Sequence, residues 1–251
     1  MHYFFLEGQS LSPGVEVELA EQDISHAHRV LRLKKGDRIA VSDSLGTALS
    51  GFITTSEPAL VRVFLDYELP SAESSLQITL FQALSKGDKM ELIIRQAVEL
   101  GVKKFVPVAT MRSIPRLDNH KQEKKNKRWQ NIARSAAAQC RRAFLPPVED
   151  VQDLRTVLEV LRKHRTLVPW EEESSISLSG ALKQPCPEDR AVFLFIGPEG
   201  GFEISEIEAV REAGAEVVHL GPRILRTETA AAAAVTIIQL AWGDLEERGR
   251  R

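Results

Sequence analysis

The chain has 251 residues, 43% hydrophobic and 27% charged, with a formal net charge of −2. A chain of this length buries roughly 70 to 75% of its unfolded surface and holds one large or two modest domains. No apolar run reaches the ~18 residues of a membrane span, the start Met1-His2-Tyr3-Phe4-Phe5 lacks the flanks of a signal peptide, and Cys140 and Cys186 form no C-x-x-C pair, so a cytoplasmic protein with no membrane partner, disulfide framework or zinc ribbon is expected.

Residues 1 to about 70 hold short apolar or alternating stretches at Arg38–Ser42, Ala48–Ile53 and Leu60–Leu65, separated by Gly, Asp and Ser-Glu-Pro turn signals. They read as a small all-β domain. Between them, His26 to Arg38 carries Arg29, Arg32, Lys34 and Lys35, a local basic stripe suited to RNA phosphates. His26 and His28 fall at alternate positions, but no third ligand accompanies them, and no metal site is expected.

After a linker at Leu69–Ser75 the pattern changes to apolar strands alternating with amphipathic helices. Leu76–Leu84 is a strand, Asp88–Leu100 a helix and Lys103–Ala109 a strand. Asp88 with Glu91 fits a capping box, and Gly101 fits the residue after a helix end. A long helix follows at about Gln122–Arg142, then strands at Arg165–Pro169, Ala191–Ile196 and Glu216–Leu220, with helices at about Ile204–Ala213 and Glu228–Leu245. Continuous apolar strands between helices imply a parallel sheet covered on both faces.

From Met111 to Arg142 ten basic residues, Arg112, Arg116 and Arg142 among them, stand against Asp118 and Glu123. Such a run is either a solvated helix face or a surface for a polyanion.

Two loops at strand ends carry the chemistry. Gly197-Pro198-Glu199-Gly200-Gly201-Phe202 follows a buried strand and opens a helix, the place where open α/β sheets bind ligands. Leu220-Gly221-Pro222-Arg223-Ile224-Leu225-Arg226-Thr227-Glu228-Thr229-Ala230 follows the next strand and places apolar residues in a turn, where a flat ligand face can cover them. Neither matches a dinucleotide or P-loop pattern.

These loops, with Lys86-Gly87-Asp88-Lys89-Met90-Glu91-Leu92 and His28-Arg29-Val30-Leu31-Arg32-Leu33, resemble the 16S ribosomal RNA (uracil-N3)-methyltransferase family of the RsmE type, over nearly the whole chain. The resemblance implies a SPOUT methyltransferase: a parallel sheet with a C-terminal trefoil knot over residues 71–251, preceded by a PUA-like β-barrel that binds RNA over residues 1–70. It implies a homodimer, S-adenosylmethionine as cofactor and 16S ribosomal RNA as substrate, within the assembled small subunit. Cofactor contacts are implied for Leu167, Val168, Pro169 and Trp170, for Gly197, Pro198, Glu199, Gly200 and Gly201, and for Leu220, Gly221, Ile224, Leu225, Arg226, Thr229 and Ala230.

The stretch Ala136–Arg142 is similar to a family segment in which Ala138 stands where Glu is common and Arg141 where Gly is common; His2 and Tyr3 replace an N-terminal arginine. Loss of the uracil N3 proton needs a base or cations that stabilise the anion. Arg142, Arg226 and Glu228 are the candidates, with Gln139 to orient. Competing readings are a related enzyme acting on transfer RNA or a ribose 2′-hydroxyl, a non-catalytic RNA-binding assembly factor, and an unrelated nucleotide-binding enzyme.

Overall fold

A computed structural model describes residues 1–113 and 119–246, with residues 119–121 described as backbone only. Arg116, an expected RNA contact, lies outside the described residues. Over the described residues the chain divides into two compact units, one made of Met1–Glu73 with Ala137–Leu145, the other of Ser74–Ala136 with residues 146–246.

The first unit is built on five strands, β1 (His2–Phe5), β2 (Glu16–Glu18), β3 (Arg38–Ser42), β4 (Ala48–Glu57) and β5 (Leu60–Glu68), in the order β1-β3-β4-β5-β2. Only the β1–β3 pair is parallel. Inward residues Val41, Leu49, Ile53, Val63 and Leu65 close its core with Phe4, Val17 and Ala27. The all-β expectation needs one correction. Glu21–Ser25 forms a short helix, α1, that runs into a π-helical turn at His26–Val30. The two histidines therefore do not alternate along a strand; His26 is exposed, and His28 Nδ1 lies 3.4 Å from the Ser56 hydroxyl.

The second unit holds a wholly parallel sheet of β6 (Gln77–Ala83), β7 (Lys104–Ala109), β8 (Gln152–Asp153), β9 (Arg165–Pro169), β10 (Ala191–Ile196) and β11 (Glu216–Val218). Their order, β11-β9-β10-β6-β7-β8, reverses direction beside β6. Helices α2 (Lys89–Glu99), α3 (Asn119–Cys140), α4 (Leu154–Leu161), α5 (Leu178–Ala181), α6 (Ile204–Glu212) and α7 (Thr227–Trp242) connect the strands. Val157 and Leu161 of α4 and Ile207 and Val210 of α6 pack with Phe81, Val106, Phe193 and Phe195 on one sheet face. Alternation turns Ile78 and Leu80 to the other face, where α7 packs against β10 and α2. Helices α4 and α5, eight and four residues long, go beyond the sequence expectation, because neither spans enough turns to show a clear period.

Two expectations about helix ends divide. Gly101 follows α2 in the left-handed region at φ +87°, where glycine carries no Cβ penalty. Asp88 does not cap α2, because its φ of −89° and ψ of 9° are not the extended geometry of a capping residue, and its side chain accepts no cap hydrogen bond. Glu91 instead pairs with Arg128 at 2.6 Å.

Candidate cofactor pocket

The C-terminal ends of β9, β10 and β11 open onto one concave site. Two lobes of about 390 and 260 Å³ meet along Pro169, Glu171, Ile224, Leu225 and Ala230. Crevices of this kind form where helices leave opposite sides of a parallel sheet.

The first lobe sets apolar walls, Trp170, Leu220, Ile224 and Leu225, beside Glu171, Glu173 and Arg223. Ile224 is 85% exposed, and the backbone N–H groups of Ile224, Leu225 and Arg226 find no acceptor among the described residues. The bend before them is held by His219, whose amide donates to the Ile176 carbonyl and whose Nδ1 accepts from the Gly221 amide at 3.1 Å. An exposed apolar residue beside unclaimed amides suits a flat, neutral heterocycle that needs hydrogen bonds along one edge and apolar cover on its face.

The second lobe is charged, with Lys89, Glu199 and Arg226 on its wall. Glu199 accepts from the Lys86 amide at 2.9 Å, and Lys89 Nζ lies 3.1 Å from it and 3.8 Å from Glu228. Burial pushes the Glu199 carboxyl up, but hydrogen bonds from its own and the Lys86 amide, with Lys89 alongside, outweigh burial and hold it below the ordinary carboxylate range. The Lys86–Leu92 motif thus anchors the Gly197–Gly201 loop. Gly197 lets Phe202 pack closely: a Cβ there would sit 3.0 Å from the ring of Phe202, which itself stacks edge-on against Phe195 at 4.9 Å. Gly201, at φ +69°, leaves the space that the Glu171 carboxylate occupies.

Gln82, at the end of β6 and 1% exposed, links the two loops. Its Nε2 lies 3.1 Å from the Thr227 hydroxyl, which donates to the Gly197 carbonyl at 2.7 Å. On the far wall, Glu173 accepts from the Ser174 and Ser175 amides and pairs with Arg211, whose guanidinium lies over the Trp170 ring at 5.7 Å. The Ser175 amide is the main reason that the Glu173 carboxyl is held below its usual range.

Residues 72–239 match the family described as RNA methyltransferase domain. A Bacillus subtilis ribosomal RNA small subunit methyltransferase E is 31% identical over 95% of this chain and 96% of its own length. A Synechocystis protein of the same name is 35% identical over 88% of this chain and 72% of its own. The crystal structure of ribosomal RNA small subunit methyltransferase E from Neisseria gonorrhoeae, bound to S-adenosyl methionine, superposes with a TM-score of 0.88 at 33% identity, over 98% of this chain and 99% of that one. A Legionella pneumophila protein solved with bound SAM gives 0.87 at 33% identity, over 97% of this chain and 98% of that one. The chain belongs to the ribosomal RNA small subunit methyltransferase E family.

Of the residues singled out in the sequence, Pro169, Trp170, Gly197, Pro198, Glu199, Gly201, Leu220, Gly221, Ile224, Leu225, Arg226 and Ala230 line the pocket. Leu167 and Val168 do not. Both are fully buried inside β9, where strand geometry turns their side chains into the two layers beside the sheet. Gly200 and Thr229 also fall outside the lining; Gly200 gives its carbonyl to Arg112, and Thr229 is exposed.

Arg112 and Arg142, both expected to face RNA, stand in different surroundings: Arg112 is exposed, Arg142 buried. Arg112 donates to Glu203 at 2.7 Å and to the Gly200 carbonyl at 2.8 Å, so its fork is engaged in bracing the glycine loop. Arg142 is 3% exposed and pairs with buried Glu73, Nη2 to Oε2 at 2.8 Å, while Glu73 also accepts from the Phe144 amide. Its guanidinium is thus buried against Glu73 rather than presented at the surface. It fastens Ala137–Leu145 to Glu73. Gln139 is exposed in the same unit. Arg29, Arg32, Lys34 and Lys35 are exposed and make no side-chain ion pair among the described residues. Gln82, Lys89, Glu171 and Thr227 carry no role that the sequence assigns, although Lys89 and Thr227 stand in the motifs Lys86–Leu92 and Leu220–Ala230.

Proposed function

We propose that the chain binds S-adenosylmethionine in the two-lobed pocket and methylates 16S ribosomal RNA of the small subunit at N3 of a uridine. The observation that carries this is the pocket at the ends of β9, β10 and β11, where an apolar turn with unclaimed amides in one lobe adjoins Lys89, Glu199 and Arg226 in the other. A purine fits the first, an ionised amino acid the second, and the family's solved relatives from Neisseria and Legionella carry that cofactor. When bound, S-adenosylmethionine supplies a methyl group on a sulfonium, activated for in-line displacement.

The chain's own work is to position and to manage one proton. Its pocket walls hold the acceptor and donor ends in line, which can supply much of the rate. Arg226, exposed at the rim and without hydrogen bond or ion pair among the described residues, is the group placed to stabilise a developing uracil anion. Glu228 is drawn toward Lys89 and serves the loop anchor first. RNA capture falls to Arg29, Arg32, Lys34 and Lys35 and to Lys124, Lys125 and Lys127 of α3, all exposed.

The same reading takes residues 1–70 as a PUA-like barrel and the unit from residue 71 as a trefoil-knotted SPOUT domain. In support, the chain leaves edge strand β11 and returns to begin α7 beside the inner strands β10 and β6, through Thr227. A homodimer in the cytoplasm, acting on the assembled subunit, completes it; no described helix is long and apolar enough to cross a membrane.

Calorimetry with S-adenosylmethionine tests the cofactor, and nucleoside mass mapping of ribosomal RNA from a deletion strain tests the atom. A folded protein that binds no cofactor would remove the proposal. Loss of a modified transfer RNA nucleoside or of a 2′-O-methyl group would redirect it.

A further inference from the structure

Gln82 is a neutral amide held on an apolar face. It stands in register with Ile196 of β10 and Pro107 of β7 and is 1% exposed. Strand alternation sets it with Ile78 and Leu80, on the opposite side of the sheet from Phe81 and Ala83. An amide so placed is costly unless its hydrogen bonds are made. Its Nε2 donates to the Ala83 carbonyl at 3.0 Å and to the Thr227 hydroxyl oxygen at 3.1 Å, and lies 3.5 Å from the Gly197 carbonyl. Carbonyls only accept, so Ala83 and Gly197 fix which end of the amide faces the loops. Its Oε1 is buried without a hydrogen bond among the described residues. The amide keeps this sense despite an unmet acceptor, so what holds it lies on the Nε2 side. The Thr227 oxygen, which receives a hydrogen from Gln82, turns its own toward the Gly197 carbonyl at 2.7 Å. Donation therefore runs one way, from Gln82 through Thr227 to Gly197.

We propose that Gln82 is a positioning residue for methyl transfer: by directing the Thr227 hydroxyl it holds the glycine loop in place against the last loop. This role rests on the function proposed above. Gln82 does not line the pocket and acts through the two loops that do. An in-line displacement is sensitive to small errors of placement, whereas cofactor binding is shared among many contacts, so loss of the relay lowers turnover more than affinity. The direction of donation also separates glutamine from its isosteres. A thioether at this position gives no hydrogen, and Thr227 loses its direction. A carboxylate goes further, because it claims the Thr227 hydrogen and draws it off the Gly197 carbonyl.

The test measures methyl transfer to small ribosomal subunits from a deletion strain. The kcat and the KM for S-adenosylmethionine are compared for wild type, Gln82→Met, Gln82→Glu, Thr227→Val and the double variant Gln82→Met with Thr227→Val. Gln82→Met should lower kcat about tenfold and raise KM by no more than about threefold. The double variant should be no slower than Thr227→Val alone, since one cut already breaks the relay. The activity of Gln82→Glu relative to Gln82→Met should fall as pH rises from about 6 to 9, because a buried carboxylic acid still donates and its carboxylate does not. Gln82→Met keeps side-chain length on an apolar face, and the Ala83 carbonyl keeps the Ser85 hydroxyl, so the thermal unfolding midpoint should stay close to wild type. Wild-type turnover in Gln82→Met, a higher KM at unchanged kcat, multiplying losses in the double variant, or a ratio flat in pH would each overturn the role while leaving methyl transfer by the wild type in place. A wild type that transfers no methyl group to these particles would remove the proposed function itself.

Discussion

The Thr227 hydroxyl donates a 2.7 Å hydrogen bond to the Gly197 carbonyl, tying the first residue of the last helix to the end of the central strand β10. Thr227 is buried, and its loss leaves the Gly197 carbonyl with only the 3.5 Å contact from Gln82 Nε2. Thr227→Val should weaken S-adenosylmethionine binding several-fold and destabilise the fold by about 1 to 2 kcal/mol. Thr227→Ser, which keeps the hydroxyl, should restore affinity. Equal defects in the two variants would separate this bond from loop position.

Glu73 and Arg142 form a buried pair, and removal of one partner leaves an uncompensated charge. Glu73→Gln and Arg142→Met should each cost about 3 to 5 kcal/mol in urea unfolding, whereas the double variant Glu73→Leu with Arg142→Met should recover part of that loss. Additive losses in the double variant would contradict a coupled pair.

Arg141 follows α3 at φ +63°, in the left-handed region that favours glycine. Arginine carries a steric penalty there that glycine does not. Arg141→Gly should raise stability by about 1 kcal/mol, read as a higher unfolding midpoint, while Arg141→Val should lower it.

Acid should release the glycine loop late. The folded Glu199 carboxyl lies below its ordinary value, so its ionised form favours the folded loop at any pH above that ordinary value, and the contribution fades as pH falls through the depressed folded value. The affinity advantage of wild type over Glu199→Gln should be constant from pH 8 to about 5 and shrink below about pH 4. An advantage that declines between pH 8 and 6 would point to a different titrating group.

The exposed stripe Arg29, Arg32, Lys34 and Lys35 should matter to RNA and not to cofactor. Replacing all four by Ala should weaken RNA binding and reduce the slope of log affinity against log salt by roughly 0.7 to 0.9 for each phosphate that is no longer neutralised, with S-adenosylmethionine affinity unchanged. An unaltered salt slope would remove the stripe from the interface.

Periodicity and turn chemistry are enough to find the sheet of the second unit. Arg165–Pro169 and Ala191–Ile196 match β9 and β10 end to end, because an apolar run bounded by turn residues is a local property of the chain. The glycines at 197 and 201 and the apolar turn at Ile224 likewise announce a ligand edge, since residues that local structure does not need stand out against propensity.

Partnership across the chain is not legible in the same way. Arg112 and Arg142 look alike in sequence until the fold brings Glu203 and Glu73 against them, from 91 and 69 residues away, and buries the second. Gln82 and Glu171 carry no motif at all; one is a polar residue at a strand end and the other one of three consecutive glutamates. Sequence by itself determined the longer strands and helices of the second unit and the two ligand loops, because those depend on neighbours along the chain. Only the tertiary structure decided which charges are neutralised and which stay available, because that depends on burial and on pairing between residues far apart in sequence.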